Sequence, residues 1–101
     1  MAKVYVLTSE WRNAGGMDKD LPKVYCYRSK AITSMVADFK SVCSIHYLDV
    51  ELNLTTQNFL KPYETESKGF AVEYDGKGNL CLHNDDFSYC CDWSITETEL
   101  I

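Results

Sequence analysis

SKAITSMVADFKSV, residues 29–42, decides the fold. Ala31, Ile32, Met35, Val36, Phe39 and Val42 recur at intervals of three and four. On a helix of 3.6 residues per turn they form one apolar stripe, which must lie on an apolar surface elsewhere. Thr33, Ser34, Asp38 and Lys40 fall on the wet side. Ser29 is the expected N-cap, because its hydroxyl can accept from an orphan N–H of the first turn.

On either side of this stretch the apolar period changes to two. Val4-Tyr5-Val6-Leu7-Thr8 is β-branched and aromatic and reads as a central strand. Residues 10–22 carry Gly15-Gly16 and Pro22 and read as a long hairpin loop returning to a second strand at Lys23–Tyr27. After the helix, His46, Leu48, Val50, Leu52 and Leu54 alternate with polar neighbours. This predicts a half-buried strand over 45–54. Residues 55–68 fit no single element. Phe70, Val72 and Tyr74, then Leu80 and Leu82, then Phe87, Tyr89, Cys91, Trp93 and Ile95 read as a meander, turned at Asp75–Asn79 and at Asn84-Asp85-Asp86. The tail from Thr96 is expected to fray. The order is β-β-α-β-x-β-β-β. It describes a single α+β domain over 1–101, with one helix on one face of an antiparallel sheet of five to six strands.

Size and charge narrow the function. A chain of 101 residues is long enough to bury one core without disulfides or metals. The opening apolar run is too short for a signal peptide, and no window is long enough to span a membrane, so a cytoplasmic protein is expected. Residues 1–50 carry seven Lys/Arg against five Asp/Glu, a balance of +2; residues 51–101 carry three against ten, a balance of −7. An acidic half repels phosphate, which argues against direct nucleic-acid binding and for a protein partner with a basic surface.

Chemistry-bearing residues are sparse. The five cysteines are odd in number and include no C-x-x-C, which suits reduced thiols acting as small hydrophobes. Cys81, His83 and Cys90 are the weak metal candidates. Cys81 and His83 share a strand face, but Cys90 and Cys91 must point to opposite faces. The expected reading is therefore buried or half-buried thiols, with no metal and no cofactor. A zinc or redox module on Cys81, Cys90 and Cys91 stands as a third reading. No nucleophile elbow, metalloprotease helix or P-loop is present, so no enzyme activity is expected. Trp11 and Arg12, where the first loop leaves its strand, have the residue types of binding hot spots. With Glu73, Asp75, Asp85 and Asp86 they make up the expected partner-binding set. A small-ligand site at a sheet face or homodimer interface, lined by Tyr25, Tyr27 and Tyr47, is the alternative.

Lys3–Glu10, KVYVLTSE, followed by Val24-Tyr25-Cys26-Tyr27-Arg28-Ser29-Lys30-Ala31, resembles the opening of small phage and mobile-element proteins. These run from a KVYVVTSG-type strand through a polar loop to a second strand and helix. The likeness covers the first fifty residues and carries over no functional residue. It implies a small accessory protein of a bacterial host's cytoplasm, of the kind that includes phage inhibitors of bacterial defence such as anti-CRISPR proteins.

Overall fold

The computed structural model describes residues 2–13 and 15–99. Among these residues seven strands form one antiparallel sheet with a single helix on one face. In chain order these are β1 (Lys3–Asn13), β2 (Gly16–Lys19), β3 (Lys23–Tyr25), α1 (Arg28–Ile45), β4 (Tyr63–Ser67), β5 (Phe70–Tyr74), β6 (Asn79–Asn84) and β7 (Cys90–Glu99). The sheet runs β2-β1-β7-β6-β5-β4, and β3 lies beside β1 on the same side as β2. The long β1–β7 pairing, from Lys3↔Glu99 to Arg12↔Cys90, forms the spine.

The helix stripe is as expected. Ala31, Met35 and Phe39 are fully buried, and Ile32 and Cys43 nearly so. They rest on Leu7, Leu80, Leu82, Val72, Trp93 and Ile95, the inward residues of four strands. Two of the residues expected on the wet side are not there. Asp38 is half-buried and accepts a 2.6 Å bond from Trp93 Nε1, and Ser34 takes a 2.7 Å bond from the Tyr25 hydroxyl. The N-cap is Tyr27 rather than Ser29, with no side-chain cap bond.

The predicted strand over 45–54 is absent. The helix continues to Ile45 and closes in a Schellman turn: Leu48 N–H reaches Cys43 C=O at 2.9 Å and Tyr47 N–H reaches Ser44 C=O at 3.2 Å. Tyr47, at φ 56°, takes the left-handed position usually given to glycine. The alternation downstream is nonetheless real. Leu48, Leu52 and Leu54 are buried and Asp49, Glu51 and Asn53 exposed, in an extended segment that packs one side on the core without joining the sheet.

Three further expectations need correction. The 10–22 loop is largely strand, because β1 extends to Asn13 and pairs with β2. The 55–68 segment contains β4, which a two-residue Lys68-Gly69 turn joins to β5, both turn residues having positive φ. The tail pairs with β1 as far as Glu99 rather than fraying. The described element order is thus β-β-β-α-β-β-β-β.

Candidate functional site

A sheet with one helix has a second face. Alternation from the core residues fixes what lies there. Leu7, Trp93, Leu80 and Val72 point to the helix, so Arg12 on β1, Cys90 and Asp92 on β7, Cys81 and His83 on β6, and Glu73 on β5 point away from it. Glu64 and Glu66 on β4 join them, since Glu64 pairs with Glu73 and Glu66 with Ala71.

Four of these side chains, Arg12, Cys81, Cys90 and Asp92, form a connected cluster. Cys81 Sγ lies 3.6 Å from Cys90 Sγ. Cys90 Sγ lies 3.5 Å from Asp92 Oδ2. The Arg12 guanidinium donates to both, 3.5 Å to the sulfur and 3.4 Å to the carboxylate. The donor atoms of Cys81, Cys90 and Asp92 all lie within 4.8 Å of one another. Beside them His83 is buried, stacked on Phe87 with ring centroids 4.0 Å apart. Its Nδ1 meets the Asn84 carbonyl at 2.9 Å. Its Nε2 has no hydrogen-bond partner and faces Glu73 Oε2 at 3.6 Å.

Cys81 and Asp92 line a trough of about 770 Å³ together with Glu64, Glu73, Asp75 and Ser94. Its charges are mostly negative. Arg12 and Lys19, cations of the same face, already pair with Asp92 and Glu10. Among the described residues, Glu64, Glu66 and Asp75 have no cationic partner.

Burial foremost, and then Asp92 and Cys90, push the Cys81 thiol up. Burial does the same to Cys91 and Cys43 on the helix side. All five cysteines are free.

The structure brings some expected residues together and separates others. Arg12, Glu73, Cys81, His83 and Cys90 share the uncovered face, and Asp75 sits at the trough rim. Trp11 lies on the helix side, walling a cleft of about 410 Å³ with Asp38, His46, Tyr89 and Trp93. Asp85 and Asp86 occupy the turn at the other end of the β6–β7 hairpin, where Asp86 Oδ1 accepts from Ser88 N–H at 3.0 Å. The tyrosine stripe does not form. Tyr25 faces the helix, Tyr27 precedes it and Tyr47 follows it. Asp92 and Glu64 were missed. The signal for Asp92 was present, since a residue two positions from Cys90 on a strand shares its face.

Among the described residues no helix is long and apolar enough to cross a membrane. Comparison with protein-family models, curated proteins and solved structures finds no match.

Proposed function

We propose that this chain is a non-enzymatic protein-binding module that seats a basic surface of its partner on the uncovered face of the sheet. The observation that carries the reading is the trough, whose rim carboxylates Glu64, Glu73 and Asp75 lack strong cationic partners in the fold. Closely spaced like charges on a rigid sheet cost self-repulsion, which a cationic partner relieves. The same field repels nucleic acid. A protein whose own basic channel holds nucleic acid fits this face by charge complementarity. Occupying that channel is how an inhibitor of a bacterial defence complex would work, one kind of the small accessory proteins that the opening of this chain resembles.

The test compares two neutralised variants on immobilised polylysine and on a basic partner captured from host lysate. Retention is expected to fall with rising salt and to fall in E64Q/E66Q/E73Q. The D85N/D86N variant changes the same kind of charge in the distal turn and is expected to bind as wild type. Equal binding by wild type and the triple variant, or equal loss in both variants, overturns the trough as the docking surface.

A further inference from the structure

We propose that Cys81, Cys90 and Asp92 form a binding site for a thiophilic divalent cation, with zinc as the best fit. The argument rests on the spacing of the donors, their charge and their access to solvent.

Spacing comes first. Zinc binds thiolate at about 2.3 Å and carboxylate oxygen at about 2.0 Å in tetrahedral geometry. A tetrahedron of those bond lengths has a sulfur–sulfur edge of about 3.8 Å and a sulfur–oxygen edge of about 3.5 Å. Here the sulfurs are 3.6 Å apart and the Cys90 sulfur is 3.5 Å from the Asp92 oxygen. Two of the three edges of one face of the coordination polyhedron are thus already in place, and the third, between Cys81 and Asp92, lies within 4.8 Å. Two adjacent strands hold them there, with Cys81 directly across from Asp92 and Cys90 two residues before it. This triangle includes Asp92 and not His83, whose free nitrogen faces Glu73 instead.

Charge comes second. Once the cation has displaced both thiol protons the donors carry three negative charges, and Arg12 supplies one positive charge against two of them, Cys90 and Asp92. The balance of −2 is what a divalent ion neutralises. Arg12 therefore acts as an outer partner that donates N–H bonds to a ligating sulfur and carboxylate, a common device for orienting metal ligands. Binding releases the thiol protons to solvent as each sulfur bonds the cation.

Access comes third. Cys90 is 3% exposed, but Cys81 and Asp92 open onto the trough. The fourth position of the tetrahedron therefore faces solvent, where a water can complete it. Two sulfur donors favour zinc over magnesium or calcium, which prefer oxygen.

The experiment titrates the full chain, kept reduced by a non-coordinating phosphine, with zinc against a chromophoric chelator and separately with cobalt. Expected results are one equivalent bound, thiolate-to-cobalt charge-transfer absorption, and no competition from excess magnesium. Cys81→Ser and Asp92→Asn are expected to weaken zinc binding by about tenfold or more while far-ultraviolet circular dichroism remains native. They are informative even if Cys90→Ser fails to fold. Cys26→Ser removes an exposed thiol away from the cluster and is expected to bind as wild type. Absence of stoichiometric zinc, a cobalt spectrum without thiolate bands, or unchanged affinity in both Cys81→Ser and Asp92→Asn overturns the site.

Discussion

The Trp93 indole on β7 donates its N–H to the Asp38 carboxylate on α1 at 2.6 Å. Trp93 is 2% exposed and packs edge-on against Phe39 with centroids 5.7 Å apart. The contact fixes both the rotation of the helix and its position along the sheet, which an apolar stripe alone leaves loosely specified.

Asp38→Ala leaves the indole N–H buried without a partner and is expected to destabilise the fold by about 1–3 kcal/mol. Asp38→Asn keeps an acceptor oxygen and is expected to cost less. Urea unfolding followed by tryptophan fluorescence measures both. Wild-type stability in Asp38→Ala would show that the contact adds none.

Tyr74 holds two loops together from inside the core. Its hydroxyl donates to the Phe59 carbonyl and accepts from Gly78 N–H at 3.2 Å. Tyr74→Phe strands both backbone groups and is expected to cost about 1–3 kcal/mol. Amide exchange at Gly78 should accelerate more than the global loss explains. A uniform change across the sheet would argue against a local latch.

Gly78 and Gly69 both have positive φ, at 97° and 83°, but their surroundings differ. A Cβ at Gly78 would lie 2.6 Å from the Ile95 carbonyl oxygen, whereas one at Gly69 would meet nothing within 4 Å. Gly69→Ala is expected to cost about 1 kcal/mol, the backbone term alone. Gly78→Ala adds a clash with backbone on β7 and is expected to cost clearly more. Thermal midpoints of the two variants compare them, and similar values would refute the steric argument.

Asp75 gives the fold an acid-sensitive turn. Burial pushes its carboxyl up, but bonds from the Asn79 side chain and from the Lys77 and Asn79 N–H groups together outweigh burial and hold it below its ordinary 3.8. The folded state therefore favours the ionised form. Its contribution is complete above the unfolded value and is lost as pH falls through the lower folded value. Asp75→Asn removes this titration. The stability gap between wild type and variant, read from urea midpoints down the acid range, is expected to narrow below the ordinary carboxylate value. A gap that stays constant would rule the linkage out.

The sheet meander and the helix stripe were legible because burial follows period there, as at Phe70, Val72 and Tyr74 or at Ala31, Met35 and Phe39. The helix end was not legible, since Tyr47 rather than glycine takes the left-handed position and no residue type announces the turn. Alternation from Leu48 to Leu54 reports an extended chain with one side inward, a condition that strand pairing satisfies but does not require. Lys68-Gly69 lacks the Asn or Asp that usually marks a two-residue hairpin, so β4 stayed hidden within 55–68. At the site, face-sharing along single strands was readable, including the opposite orientations of Cys90 and Cys91. The cross-strand register that brings Cys81 against Cys90 and Asp92, and Arg12 against both, depends on loop lengths and pairing that a linear pattern does not encode.

β4 ends the sheet, and its outer edge has no strand partner among the described residues. Such a border invites strand addition and fibril growth. Tyr63–Ser67 carries glutamate at 64 and 66, with threonine between them. If two copies met there about an antiparallel axis through Thr65, each Glu64 would stand opposite a Glu66, and like charges directly across a pair are destabilising. Glu64, which borders the trough, and Glu66 thus guard the molecule against polymerising with itself.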